Sequence, residues 1–376
     1  MFSFFKKKEY KLTPIQELLL ALLRAQLWLK PVDDIVLPST LEEWNELINL
    51  GYKQTVICFI AKACLRHPNA CNNIPTDIKE ELEFVLEENE RIHKNHNARI
   101  VEIFDLLEGE GLHPILLKGQ GLAQIYPQPE LRQCGDIDIY IGAKDYKKAC
   151  EIMNQLCGPE ETAKAHEIDI HYEISKEGVE YEIHRMAANA SRVGKEKAFN
   201  KWAERYLVPE KCDNVVINGR SIPVPSIQYN VIFVFDHMLK HFVCEGIKLR
   251  QIIDWMMLLY RNTNMLNEEL LYKELSEYSQ REAWGIMVSI LIEDLCIVED
   301  LIPCKKIKIQ NIGSRFIFPI MFSSDLPNCY DGYFVKNKYK IIKCQFRIIP
   351  YTMIRHFISV GIRNVKCLLK NVIKPK

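Results

Sequence analysis

Two aspartates, Asp136 and Asp138, lie one residue apart within the otherwise apolar segment GDIDIYIG at positions 135–142. Alternate residues of a β-strand face the same side of a sheet, about 7 Å apart, so the two carboxylates would face one way and the intervening isoleucines the other. Neighbouring carboxylates repel each other, and one would be driven neutral unless a cation lies between them. Aspartates in this arrangement bind divalent metals, and two Mg²⁺ ions can neutralise a triphosphate and activate a hydroxyl for in-line displacement. The competing interpretation is a pair of charges on an exposed edge strand.

A metal site of this kind needs a third carboxylate from a neighbouring strand, and Glu182 is the best candidate. It lies in VEYEIHR at positions 179–185, where polar and apolar residues alternate, and His184 shares its face. We therefore expect Asp136, Asp138 and Glu182 to be catalytic and to hold Mg²⁺, with Mn²⁺ as an acceptable substitute. The preceding alternating segment supplies weaker candidates on one face, namely Asp169, His171 and Glu173.

A phosphate-binding site should lie upstream of the aspartates, in LLKGQG at positions 116–121. This segment follows a short apolar run that predicts a buried strand, and it precedes a predicted helix. Glycines let backbone N–H groups approach an anion, the start of a helix favours negative charge, and the lysine adds a positive charge. We expect the nucleotide phosphates to contact Lys118, Gly119, Gln120 and Gly121.

The elements that must position these residues divide the chain into four parts. Helical periodicity predicts an N-terminal helical region over residues 1–110. Residues 111–225 mix short strands with helices and contain two hairpin signals, Lys176-Glu177-Gly178 and Asn218-Gly219, which together predict an α+β core. Four periodic stretches with short connections predict a helical bundle within residues 226–331; they cover 227–244, 246–260, 267–279 and 281–295.

Residues 332–376 form a basic C-terminal tail. They contain eleven Lys or Arg and no Asp or Glu, which leaves residues 1–331 with a net charge of −11 in a chain of zero net charge. Apolar and basic residues recur at helical spacing, which predicts an amphipathic helix. Such a helix could pack on the acidic remainder of the chain, lie on an anionic membrane surface, or bind a phosphate backbone. A core without a basic excess argues against long nucleic acids as the main partner.

The thirteen cysteines are scattered and form no CxxC pair, which is typical of reduced thiols packed as small apolar residues in a cytosolic protein. The first residues, MFSFFKKKEY, do not resemble a signal peptide. No uncharged apolar run reaches the roughly 18 residues that a membrane-spanning helix needs. We therefore expect a cytoplasmic protein, with peripheral contact to the inner membrane surface through the tail as an option.

Two histidines, His237 and His241, are spaced four residues apart on one face of a predicted helix. HxxxH can bind zinc, but the HExxH pattern of a zinc protease is lacking, so a structural or substrate-facing role is the better interpretation. Arg250 and Asp254 have the same spacing on the next helix, and we expect them to pair with each other or with these histidines. The candidates for a substrate-facing role are His184, His237, His241 and Arg250.

The order of these motifs resembles the DNA polymerase β-type nucleotidyltransferase superfamily, and more closely its bacterial branch of uncharacterised nucleotidyltransferases. The matching segments lie within about 40–290; they are LLKG at 116–119, LAQIYPQPELR at 122–132, GDID at 135–138, EIH at 182–184, HMLKHF at 237–242 and GIKLRQIIDW at 246–255. The resemblance implies the minimal nucleotidyltransferase fold, a small mixed sheet with helices, and metal binding by Asp136, Asp138 and Glu182.

The expected activity is Mg²⁺-dependent transfer of a nucleoside monophosphate from an NTP to an acceptor hydroxyl or phosphate. The acceptor could be a small molecule, a sugar, a protein side chain or an RNA end. One departure from the superfamily supports an alternative. In the superfamily the phosphate loop usually carries Gly-Ser or Gly-Gly and lies closer to the aspartates. In this sequence the corresponding Gly119-Gln120-Gly121 begins seventeen residues before Asp136. The alternative is a catalytically inactive binding or regulatory module that keeps the fold.

Overall fold

The computed structural model describes residues 11–167, 170–187, 196–244, 246–278, 280–310, 317–318 and 321–322. The predicted basic tail, 332–376, and Asp169 lie outside these residues. Within them the fold is α+β, as the sequence predicts, with a five-stranded mixed sheet and a two-stranded sheet. Helical segments precede and follow these sheets in the sequence. Among the described helices, none is both long enough and apolar enough to cross a membrane.

The N-terminal region is helical. Its helices are α1 (Pro14–Leu27), α2 (Leu41–Lys53), α3 (Ile57–Leu65), α4 (Ala70–Asn73) and α5 (Thr76–Gly109). Thr13 and Thr40 each start a helix through a capping box, in which the threonine hydroxyl accepts from a backbone N–H three residues on. Cys58 and Cys64 lie buried on α3, in agreement with the prediction that cysteines pack as apolar residues.

Helix α5 connects this region to the sheet. Its first half contributes Ile78 and Leu82 to the core of the N-terminal helices, whereas its second half contributes Ile103 and Phe104 to the core beneath the sheet. The helix has 34 residues, about 50 Å at the usual rise, so one rigid element reaches both cores.

The central sheet has the strand order β1-β2-β5-β4-β3, with β2 and β5 parallel and the other neighbours antiparallel. The elements in chain order are β1 (Ile115–Leu117), α6 (Gly119–Ala123), β2 (Asp136–Tyr140), α7 (Tyr146–Cys157), α8 (Pro159–Lys164), β3 (His166–Glu167), β4 (His171–Lys176) and β5 (Val179–His184). The alternation of β2 places Ile137 and Ile139 in a core shared with Ala149 and Met153 of α7. The opposite face of β2 therefore carries Asp136 and Asp138, as predicted.

Both predicted hairpins form. Strands β4 and β5 pair from Lys176 to Val179, so that Glu177 and Gly178 make a two-residue turn in which both have positive φ. Such turns match the twist of the flanking strands, and they fix the register of the whole hairpin. After α9 (Glu196–Tyr206), strands β6 (Asp213–Ile217) and β7 (Arg220–Val224) pair in the same way around Asn218-Gly219.

The four predicted C-terminal helices are present; the first has the predicted ends, and the other three differ from the prediction by a few residues at one or both ends. They are α10 (Ile227–Cys244), α11 (Leu249–Asn262), α12 (Glu268–Glu277) and α13 (Arg281–Glu293). Phe235 of α10, Trp255 of α11 and Trp284 of α13 pack against one another with ring centroids 4.7–5.1 Å apart. These buried aromatic contacts join the three helices in one apolar core with the N-terminal helices.

Candidate active site

The parallel pairing of β2 with β5 creates the carboxylate cluster. Asp138 lies opposite Glu182 in this register, and Asp136 lies opposite Glu180. Paired residues of neighbouring strands face the same side, so the acidic side chains of both strands share one face of the sheet. Oxygens of Asp136, Asp138 and Glu182 all lie within 4.8 Å of one another. The structure therefore brings together the three residues for which the sequence predicts a common site.

Asp138 is buried, with 2% of its side chain exposed, and its carboxylate is already paired. Oδ1 lies 2.9 Å from Nζ of Lys118 and 2.9 Å from Nε2 of His184. Burial alone would raise the pKa of Asp138, but the charge of Lys118 and the hydrogen bond from His184 outweigh burial and hold that pKa far below its usual value. Asp138 is therefore ionised throughout the physiological range.

Asp136 behaves differently. The negative charge of Asp138 raises the pKa of Asp136, burial raises it further, and Lys118 offsets only part of the effect. This is the repulsion expected for two like charges on one strand face. A cation between the two carboxylates would relieve it, which makes the pair suited to a divalent ion.

Lys118 occupies a strained junction between β1 and α6. Its φ is 43° and its ψ is −135°, a conformation that side-chain-bearing residues rarely adopt. The ammonium is directed at Asp138. Burial would lower the pKa of Lys118, but the charges of Asp138, Asp136 and Glu182 outweigh burial and raise it. Lys118, for which the sequence predicts a phosphate contact, thus serves here as the counter-ion of the carboxylates.

The Gly119–Gly121 segment is packed rather than open. Gly119 has a φ of 37°, and a Cβ at Gly121 would lie 3.2 Å from Cγ1 of Val224. Gly121 therefore allows α6 to pack closely on β7. Gln120 is 2% exposed, and within the described residues neither polar atom of its side chain has a hydrogen-bond partner.

His184 bridges two acids of the site. Its Nε2 lies 2.9 Å from Oδ1 of Asp138 and 3.0 Å from Oε2 of Glu182. Burial would lower the pKa of His184, but the hydrogen bonds to both carboxylates outweigh burial and raise it. His184 thus contacts two of the three predicted metal ligands directly, and its substrate-facing role stays a prediction.

Strand β4 adds two further side chains to the same face. His171 lies opposite His184, and Glu173 lies opposite Glu182. Nδ1 of His171 is 3.6 Å from Oε2 of Glu182, and its Nε2 is 2.8 Å from Oε1 of Glu173. Sequence reasoning ranked these residues as weaker candidates, although the two-residue hairpin turn determines this register by itself.

Helix α10 brings His237 towards the carboxylate cluster. Burial holds the pKa of His237 well below its usual value, and the nearby charge of Lys118 lowers it further. Its Nε2 lies 3.0 Å from Nε2 of His241, so one ring donates to the other. The substrate-facing role of both histidines stays a prediction.

The expected pairing of Arg250 with Asp254 or with the histidines is wrong. Asp254 accepts two hydrogen bonds from the guanidinium of Arg132, at 2.7 and 2.8 Å, and a third from the hydroxyl of Tyr126 at 2.6 Å. Arg250 donates instead to the backbone carbonyl of Gln133 at 2.8 Å. The reason is that both α11 residues face the segment preceding β2, where a buried guanidinium offers better geometry than an i,i+4 neighbour.

This buried contact positions the aspartates. Arg132 and Asp254 are 3% and 7% exposed, and they fix the segment that leads into β2. On the other side, Nε2 of His96 on α5 lies 3.1 Å from the carbonyl oxygen of Gly135, immediately before Asp136. Residues far apart in the chain thus hold the start of the aspartate strand from two directions.

Comparison with known proteins agrees with these motifs. The chain is similar to the crystal structure of an antigenic nucleotidyltransferase-like protein from Paracoccidioides brasiliensis, with 14% sequence identity. The match covers 46% of this chain and 76% of the other, and its TM-score of 0.28 is too low to support an argument. No curated protein matches the chain. A family model described as an uncharacterised nucleotidyltransferase matches residues 40–291, well over half of the sequence. The chain therefore belongs to this uncharacterised nucleotidyltransferase family.

Proposed function

We propose that this protein transfers a nucleoside monophosphate from an NTP to an acceptor hydroxyl or phosphate in a Mg²⁺-dependent reaction, on a fold of the DNA polymerase β-type. The observation that carries the proposal is the β2–β5 register, which sets Asp138 opposite Glu182 with Asp136 on the same face. Family membership supports a nucleotidyl transfer function in general.

The residues present fit a divalent cation. The three acids offer hard oxygen ligands within 4.8 Å of one another, and repulsion between the two aspartates raises the pKa of Asp136, which a cation would reverse. Asp136, Asp138 and Glu182 would hold Mg²⁺, or Mn²⁺ in its place. A metal bound there supplies charge neutralisation for the triphosphate and the leaving group.

The remaining groups act on the substrates. The acceptor oxygen attacks the α-phosphorus, the bond from that phosphorus to the bridging oxygen of the β-phosphate breaks, and pyrophosphate leaves. Glu182 takes the proton from an acceptor hydroxyl, because its carboxylate is partly exposed and lies on the reacting face. Lys118, with the backbone N–H groups around Gly119–Gly121, holds the donor phosphates once the nucleotide draws the ammonium away from Asp138.

Helices α10 and α11 are the elements best placed to select the acceptor. The charge of Lys118 lowers the pKa of His237, which places this histidine near the carboxylate cluster. Arg250 donates a hydrogen bond to the segment that leads to the aspartates. A small molecule, a sugar, a protein side chain and an RNA end all remain acceptor candidates. His237, His241 and Arg250 are the side chains that we assign to the acceptor side of the site.

One observation favours a second candidate, an inactive module that binds a partner or regulates. The charge of Asp138 is already balanced by Lys118 and His184 within hydrogen-bond distance. In such a module these ion pairs would stabilise the sheet and would not yield to a nucleotide.

Thermal unfolding with each of ATP, GTP, CTP and UTP, with and without Mg²⁺, distinguishes the two candidates. An active enzyme gains stability from at least one nucleotide only when Mg²⁺ is present, and this result names the donor. Transfer of α-labelled nucleotide to cell-extract fractions then identifies the acceptor class. The double variant Asp136→Asn, Asp138→Asn should lose both signals. The matched control Asp33→Asn, Asp34→Asn removes two exposed carboxylates outside the site and should keep both.

The tail at 332–376 is proposed to add peripheral contact with the inner, anionic membrane surface in an otherwise cytoplasmic protein. Its eleven basic residues are not balanced by any acid, and each contributes about 1 kcal/mol near such a surface. Co-sedimentation with phosphatidylserine vesicles tests this contact. Binding that is lost in high salt supports it, whereas equal recovery with neutral and anionic vesicles contradicts it.

A further inference from the structure

The ring of His171 is held in one orientation by strand β4. Its Nε2 lies 2.8 Å from Oε1 of Glu173, and because a carboxylate only accepts hydrogen bonds, this nitrogen must carry the hydrogen. In the neutral ring, Nδ1 then carries a lone pair. Within the described residues this Nδ1 is buried and has no hydrogen-bond partner. A lone pair that is buried without a donor is an uncommon arrangement in a folded protein.

The unpartnered nitrogen faces another acceptor. Oε2 of Glu182 lies 3.6 Å from Nδ1 of His171, and the same oxygen lies 3.0 Å from Nε2 of His184. The rings of His171 and His184 contact edge to face, with centroids 4.9 Å apart. A carboxylate oxygen and a nitrogen lone pair repel each other, and a metal ion bound to both would remove this repulsion.

We propose that His171, His184 and Glu182 form a second metal position, rich in nitrogen, that binds a transition-metal dication such as Zn²⁺ or Co²⁺. One ligand atom from each residue lies within 4.8 Å of the others. Oε2 of Glu182 lies 3.0 Å from Nε2 of His184 and 3.6 Å from Nδ1 of His171, and these separations bracket the edge of about 3.3 Å that ligand bonds of about 2.0 Å give in a tetrahedron. The ion would replace the proton by which Nε2 of His184 contacts Asp138 and Glu182. Imidazole nitrogens select such ions over Mg²⁺, which prefers oxygen.

The hydrogen bond to Glu173 has the form found around protein metal sites. Histidine ligands commonly donate their second ring N–H to a carboxylate, which fixes the tautomer and increases the basicity of the ligating nitrogen. Here the hairpin register itself places Glu173 beside His171 and opposite Glu182. The second metal position shares Glu182 with the all-oxygen cluster of Asp136 and Asp138. It therefore belongs to the same proposed site, but metal binding there does not depend on nucleotidyl transfer.

Titration of the full-length, chelator-treated protein with Co²⁺ in excess Mg²⁺ tests the proposal. Excess Mg²⁺ occupies the oxygen cluster, and one equivalent of Co²⁺ should still bind and develop the visible absorption of a nitrogen-ligated ion. His171→Ala should abolish this band. Glu173→Gln, which leaves all three ligands in place, should weaken Co²⁺ binding about 10- to 100-fold. His113→Ala removes an exposed imidazole outside the cluster and should change nothing.

The metal position and the transferase activity can fail separately. Asp136→Asn should end nucleotidyl transfer yet keep the Mg²⁺-resistant Co²⁺ band, since Asp136 is not among the three ligands. X-ray absorption on Co²⁺-loaded wild type should show two imidazole ligands, and this measurement needs no variant to fold. The proposal is overturned if the wild type binds no Co²⁺ in excess Mg²⁺, if the bound ion has no imidazole ligands, or if His171→Ala binds it equally well.

Discussion

The ammonium of Lys118 lies 2.9 Å from Oδ1 of Asp138, in a site where the aspartate side chain is only 2% exposed. Lys118 directly follows the last residue of β1, and Asp138 lies in the middle of the neighbouring strand β2, opposite Leu117. The same contact serves two purposes. It neutralises a buried carboxylate within the sheet, and it keeps a cation where the metal and the donor phosphates are proposed to bind.

Lys118→Met should destabilise the protein by about 3 kcal/mol, because removal of one member of a buried ion pair leaves the other uncompensated. Mg²⁺ should restore more stability to this variant than to the wild type, since the ion replaces the missing positive charge. Urea unfolding in chelator and in Mg²⁺ measures both effects. Lys148→Met, which breaks the exposed pair with Glu110, is the control and should cost less than about 1 kcal/mol. Equal losses in the two variants would contradict the assignment.

Asp254→Asn should cost about 3–5 kcal/mol, because it leaves the buried guanidinium of Arg132 without its counter-charge. Replacing both residues, as Arg132→Met with Asp254→Asn, should cost clearly less than these two single changes added together. Urea unfolding of the four proteins in a double-mutant cycle measures this coupling. Additive losses would show that the contact does not anchor the segment before β2.

The stability of the protein should depend on Asp294 between pH 4 and pH 7. Burial and the charge of Glu293 raise the pKa of Asp294 to about 7, while Arg24 lowers it only in part. The folded state therefore keeps this proton to a higher pH than the unfolded state, and the free energy of unfolding falls as the pH rises through this range. Asp294→Asn should flatten that part of the curve and should be more stable than the wild type at pH 8. A difference between the two proteins that grows towards pH 4 would contradict this prediction.

Gly285→Ala should destabilise the protein by about 3 kcal/mol. A Cβ at this position of α13 would lie 2.3 Å from the backbone oxygen of Lys308, and that backbone cannot yield as a flexible side chain does. Gly109→Ala at the end of α5 meets nothing within 4 Å and should be neutral or stabilising by about 0.5 kcal/mol. Thermal unfolding of the two variants checks whether the segment around Lys308 packs on α13.

Much of the acidic face of the sheet follows from local patterns in the sequence. The DxD spacing on a predicted strand orients both aspartates, and the alternation of β5 adds Glu182 and His184 to one face. The turn at Glu177-Gly178 would also have placed His171 opposite His184, because a two-residue hairpin fixes its register by counting outward from the turn. The ranking of His171 as a weaker candidate missed this consequence.

Other relationships could not be predicted from local patterns. Arg132 reaches Asp254 across 122 residues, while the i,i+4 spacing suggested Arg250 as the partner of that aspartate. The direction of the Lys118 side chain depends on a φ of 43°, which no residue pattern in LLKGQG specifies. In both cases the deciding contacts come from elements that meet only when the chain is folded.

The sequence by itself determined the α+β class, the strands and their polar faces, because strand and helix periodicities depend on residues a few positions apart. Only the tertiary structure decided that β2 lies parallel to β5, that Asp138 is buried, and that Lys118 and His184 balance its charge. The physical reason is that parallel pairing and burial join segments more than forty residues apart. Their free energy comes from the packing of the whole sheet, which no local pattern encodes.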